Sequence, residues 1–81
     1  MKIVSIKRSQ EKNLVVIEYT NGNKGMIFSS VGFGAELSTP DLVKLFEDPS
    51  YDNNGFNCAS YTEAVERQSK GVTDFTVEYT A

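Results

Sequence analysis

The period of apolar and polar positions changes twice along this chain, from two to about three and a half and back to two. Residues 3 to 8 read as a first strand, with the alternation blurred where Ile3 and Val4 stand side by side. The run Leu14-Val15-Val16-Ile17-Glu18-Tyr19 is rich in β-branched residues and reads as a second strand, followed directly by Thr20-Asn21-Gly22-Asn23. Asn-Gly supplies the two positive-φ positions of a type I′ turn, so the spacing predicts a hairpin with a two-residue loop. In that register Tyr19 faces Lys24, Ile17 faces Met26 and Val15 faces Phe28, and these apolar side chains share a core face. The opposite face then carries Leu14, Val16 and Ile27 beside Glu18 and Ser29, half apolar and half polar. At the other end of the chain Phe75, Val77 and Tyr79 alternate with Asp74, Thr76, Glu78 and Thr80, which predicts a last strand with one buried and one wet face.

Between the third and fourth strands the pattern is helical. Ser38-Thr39-Pro40-Asp41 has the features of a helix start: a hydroxyl to cap free amides, proline at the first helical position and a carboxylate near the positive end. Leu42, Leu45 and Phe46 form a narrow apolar stripe, and Asp48-Pro49 ends the helix because a residue before proline is pushed out of helical geometry. A second helix begins at Ser60-Tyr61-Thr62-Glu63, which has capping-box spacing, and ends near Gly71. Tyr61, Ala64 and Val65, with Gln68, make its inner face. The order β-β-β-α-α-β predicts an α+β domain over residues 1–81: a small antiparallel sheet of about four strands with two short helices on one face.

Composition narrows the chemistry. The 81 residues include no histidine, no tryptophan and one cysteine, Cys58. Imidazole acid/base catalysis, Ser-His-Asp and Cys-His nucleophile systems and Cys/His zinc sites are therefore excluded. A lone cysteine forms no internal disulfide and fits a reducing compartment. The longest apolar stretch, Leu14 to Ile17, is far short of the roughly 20 residues of a spanning helix, and charges at Lys2, Lys7 and Arg8 interrupt any signal-peptide core. A cytoplasmic protein with no membrane association is the expectation.

Net charge is −3, unevenly distributed. Residues 1 to 24 carry Lys2, Lys7, Arg8, Lys12 and Lys24 against Glu11 and Glu18, a net of +3. The remainder carries Lys44, Arg67 and Lys70 against Glu36, Asp41, Glu47, Asp48, Asp52, Glu63, Glu66, Asp74 and Glu78, a net of −6. An acidic surface favours a basic protein partner and disfavours direct binding of nucleic acid, which needs a basic patch to neutralise phosphate.

Gly32-Phe33-Gly34 lacks the third glycine of a dinucleotide loop and the Gly-Lys-Ser/Thr of a phosphate loop, so it reads as a flexible connection or strand bulge around a buried Phe33. Residues 49–58 make a long link between two helices, where roughly two to eight residues are usual. The segment combines two aromatics with five Asp, Asn or Ser residues. It lacks the alternating ligands and bidentate glutamate of a calcium loop. Its plain reading is an ordered loop with Tyr51 and Phe56 pinned to the core edge. The recognition reading takes Tyr51, Asp52, Asn54 and Phe56 as contact residues, flanked by Glu47, Asp48 and Glu63. Cys58 reads as a small buried residue, and the pairs Glu47/Asp48 and Glu63/Glu66 as solvated carboxylates.

No catalytic set, cofactor or metal site emerges. The expectation is a small acidic non-catalytic binding protein that modulates or inhibits a larger macromolecular assembly through a protein partner, as a monomer or homodimer. Small acidic proteins of phages and mobile elements often block host nucleic-acid enzymes, an analogy of size and charge alone. The alternative is a self-associating structural or accessory subunit, joined through Leu14, Val16 and Ile27 on the half-apolar sheet face.

Overall fold

A computed structural model describes residues 2–28, 38–48 and 59–81. Their elements are β1 (Ile3–Ser9), β2 (Leu14–Tyr19), β3 (Lys24–Phe28), α1 (Thr39–Phe46), α2 (Ala59–Ser69) and β4 (Thr76–Thr80). The strands form one antiparallel sheet in the order β3-β2-β1-β4. The described residues thus form a small α+β fold with a four-stranded antiparallel sheet and two helices, as the pattern predicts, and the last strand docks beside the first.

The hairpin register differs from expectation by one residue. Val16 pairs with Met26, Val15 with Ile27 and Leu14 with Phe28. The loop has three residues, Thr20-Asn21-Gly22, closed by the Tyr19 N–H donating to the Asn23 carbonyl at 2.9 Å. Only Gly22 in it has positive φ, at 88°, so the turn is the three-residue form with a left-handed glycine and not a type I′ turn. A one-residue slip moves every side chain of a strand to the other face. Ile27 therefore joins Val15, Ile17 and Tyr19, and Met26 joins Leu14 and Val16.

That alternation separates two cores. On one face Ile3, Ile6, Val15, Ile17, Tyr19 and Ile27 pack under Leu42 and Phe46 of α1, both fully buried. On the other, Leu14 and Val16 pack with Val65 of α2, edged by Met26, Tyr61 and Phe75. The two helices therefore lie on opposite faces of the sheet, and not on one face as expected. The reason is in β2, a central strand whose Leu14-Val15-Val16-Ile17 run is apolar on both sides and is buried throughout.

Two bulges adjust the strand edges. Ile3 pairs with Tyr19 but Ser5 with Glu18, so the extra residue is Val4, which accounts for the blurred alternation there. In β4, Tyr79 pairs with Ile6 but Val77 with Lys7, making Glu78 the extra residue. Phe75, Val77 and Tyr79 consequently do not share one buried face. Tyr79 packs on the α1 side, Phe75 on the α2 side, and Val77 is 62% exposed. A bulged, solvent-facing edge strand resists regular pairing with another chain.

The helix ends differ slightly from the sequence reading. Ser38 stands at the N-cap of α1, but its hydroxyl donates to the Asp41 carboxylate at 2.9 Å and accepts no helix N–H. Helix α2 already includes Ala59 and Ser60, so Ser60 is not its cap. Thr62 is buried, whereas Gln68, expected on the inner face, is exposed. Gly71 follows α2 with φ 82°, the left-handed residue foreseen there.

Candidate functional site

The segment 49–58, with Tyr51, Asp52, Asn54, Phe56 and Cys58, lies outside the described residues, as does Gly32-Phe33-Gly34. Helix α1 ends at Phe46, and the next residue, Glu47, turns its carboxylate onto β1, where Oε2 accepts the Ile3 N–H at 3.0 Å. On the far side of the segment, Thr62 Oγ1 accepts the Lys24 N–H at 2.8 Å and the Tyr61 hydroxyl donates to the Met26 carbonyl at 3.1 Å. Lys24 and Met26 are two apart in β3, so both present backbone groups on the same, outer edge of that strand. The first turn of α2 thereby caps the β3 edge, a common way to close an exposed strand.

Ile3 pairs with Tyr19, and Lys24 pairs with Glu18, so both attachment points lie at the β2–β3 end of the sheet. Two interstrand spacings, roughly 10 Å, separate β1 from β3. Of the expected contact residues, Glu47, Asp48 and Glu63 are thus brought to one end of the molecule, although their helices cover opposite faces. Their roles differ. Glu47 is half-buried and committed to the Ile3 amide, whereas Asp48 and Glu63 are exposed. The exposed side of α2 is not uniformly acidic: Glu63 is followed four residues later by Arg67, and Glu66 by Lys70, the favourable orientation for neighbouring charges along a helix.

A second polar cluster, at the opposite end of the sheet, was not expected from sequence. Ser9 is fully buried, and its hydroxyl donates to Asp74 Oδ1 at 2.5 Å while accepting the Lys12 N–H at 3.2 Å. Asp74 Oδ2 accepts the Glu11 N–H at 2.9 Å. Asp74, two residues before β4, therefore clamps the β1–β2 turn. A signal was available: a serine just before a polar turn commonly bonds the backbone a few residues on. The Ser9 hydroxyl, then the Glu11 amide, hold the Asp74 carboxyl below its ordinary value of 3.8. A depressed carboxylate stabilises the fold above its unfolded value and loses that contribution as pH falls through its lower folded value. Asp74→Asn is expected to lower the urea midpoint at pH near 7, and the gap from the parent protein should close as pH drops below 3.8. A gap that stays constant with pH would show that the charge plays no part.

Further polar contacts are peripheral. Arg8 Nε lies 2.9 Å from Glu78 Oε2 in a partly exposed pair of the kind that contributes at most about 1 kcal/mol. Lys7 Nζ stands 4.5 Å above the Phe75 ring. A recess of about 150 Å³ lined by Arg8, Ser9, Gln10, Asn13, Leu14 and Val15 opens beside the β1–β2 turn. It is smaller than the roughly 300 Å³ at which small-molecule sites begin. Among the described residues there is no cluster of metal-ligating side chains, and no helix is long and apolar enough to cross a membrane.

The residues on which self-association was expected are covered within the single chain. Leu14, Val16 and Ile27 are 1%, 2% and 7% exposed, the first two beneath α2 and the third on the α1 side. The described residues define an α+β domain with two polar clusters. No family model, curated protein or solved structure matches this chain.

Proposed function

We propose that this protein is a non-catalytic binding protein that modulates or inhibits a larger assembly by presenting residues 49–58, with Asp48 and Glu63 beside them, to a protein partner. The observation that carries the reading is the double anchorage of that segment's flanks, Glu47 on the Ile3 amide and Thr62 on the Lys24 amide, at one end of the sheet. Holding both flanks fixes where the chain enters and leaves the segment, and pre-organised attachment lowers the cost of binding. Tyr51 and Phe56 would supply the apolar contact and Asp48, Asp52 and Glu63 the charge. A net charge of −3 favours a basic protein surface, including that of a nucleic-acid-processing complex, over nucleic acid itself. The single cysteine supports a cytoplasmic setting.

The test is capture of partners from host lysate at low and high salt by the parent protein, by Tyr51→Ala with Phe56→Ala, and by Asp48→Lys with Glu63→Lys. Glu47 is left intact because it holds the fold. Loss of a captured protein with the aromatic pair, and loss of salt sensitivity with the charge pair, are expected, since central aromatics dominate binding energy. Unchanged capture by both variants would overturn the proposal.

A further inference from the structure

We propose that Asn21-Gly22 is a spontaneous deamidation site whose reactivity is gated by the β2–β3 hairpin. The inference is independent of any binding partner. In this reaction the backbone nitrogen of the residue after asparagine loses its proton and attacks the side-chain Cγ. A new C–N bond closes a succinimide, and the bond to the side-chain nitrogen breaks with release of ammonia. Water then opens the ring at either carbonyl, giving aspartate or isoaspartate. Glycine in the second position offers the least hindrance to the attack, and Asn21-Gly22 is such a pair on an exposed turn.

Exposure gives water and base access, but the turn engages both reacting groups elsewhere. The Gly22 N–H donates to the Tyr19 carbonyl at 3.0 Å, so the attacking nitrogen is committed across the loop. Asn21 Oδ1 accepts the Asn23 N–H at 3.0 Å, which directs the side-chain carbonyl past Gly22 toward residue 23. The Tyr19 N–H to Asn23 carbonyl bond closes the loop beneath them. Reaction in the native protein therefore proceeds through molecules in which the hairpin has opened. The α2 contacts to Lys24 and Met26 on the outer edge of β3 oppose that opening.

The two products differ in consequence. Aspartate at position 21 keeps an acceptor for the Asn23 amide and adds one negative charge. Isoaspartate lengthens the backbone by one carbon and is incompatible with the three-residue loop. Damage at this position thus records how often the hairpin opens and, in its isoaspartate form, keeps it from closing again.

The experiment incubates the full chain in mildly alkaline buffer with and without denaturing urea, and measures aspartate and isoaspartate at position 21 by peptide mass spectrometry. A synthetic peptide of residues 19–24 in the same two buffers corrects for the effect of urea on the intrinsic rate. The native protein is expected to react at least about tenfold more slowly than the unfolded chain, because only the open fraction is competent. Tyr61→Phe with Thr62→Val, if folded by circular dichroism, should raise the native rate severalfold. Native and unfolded rates agreeing within about twofold after correction would overturn the proposal, whatever the double variant does.

Discussion

Replacing Phe46 by alanine is expected to destabilise the protein by about 3–5 kcal/mol, the range for removing a fully buried aromatic ring. Phe46 is the last residue of α1 and is wholly buried, with Leu42, in the cluster that holds Ile6, Val15, Ile17 and Ile27. Helix α1 has only eight residues, too few to persist without its docked face. The loss therefore includes the helix as well as the cavity. Small domains commonly have a total stability near the lower end of about 5–15 kcal/mol, so the variant should be largely unfolded under mild heating. The check is chemical denaturation by circular dichroism, with the parent protein alongside. A cost below about 1 kcal/mol would mean that α1 does not cover this face.

On the opposite side of the sheet, Leu14→Ala should cost about 2–5 kcal/mol. Leu14 is buried with Val16 and Val65 beneath α2, so its truncation leaves a cavity between strand and helix. The size of the effect distinguishes two arrangements. Were both helices on the α1 side, Leu14 would face solvent or a second copy. Truncation would then cost no more than about 0.5 kcal/mol in a monomer, or the loss would vary with protein concentration. A large loss independent of concentration is the expected result. Phe46 and Leu14 lie on different faces with separate neighbours, so their effects should be close to additive.

Much of this fold is legible in the chain. Element order, the strand ranges and the glycine that ends α2 follow from period, β-branched content and turn chemistry, because each depends on residues close in sequence. What escaped depends on small local choices with non-local consequences. Asn-Gly fits a two-residue loop, yet the turn adds Thr20 and leaves Asn21 outside the left-handed region, moving Met26 and Ile27 to opposite faces. The uninterrupted run from Leu14 to Ile17 is the mark of a strand covered on both sides, and it outweighs the one-faced reading suggested by Glu18.

The candidate site was legible in a different measure. Asp48 and Glu63 read as solvated carboxylates in the chain, and both are exposed. That Glu47 holds the Ile3 amide, 44 residues away in the chain, was not legible, since a local pattern carries no information on such a pairing. The same holds for Asp74, which meets Ser9 and Glu11 only because β4 docks beside β1. Both carboxylates looked like solvated surface charge and are instead ties between distant segments.

The placement of the helices on opposite faces underlies everything said of the site, since it covers Leu14 and Val16 and brings the flanks of residues 49–58 to one end of the sheet. Nuclear Overhauser contacts of the Val65 methyls and the Phe46 ring test it most directly. Val65 should show cross-peaks to Leu14 and Val16 and none to Ile17, while Phe46 should show them to the cluster containing Ile6 and Ile17 and none to Val16. Cross-peaks from both side chains to the same face of β2 would contradict it.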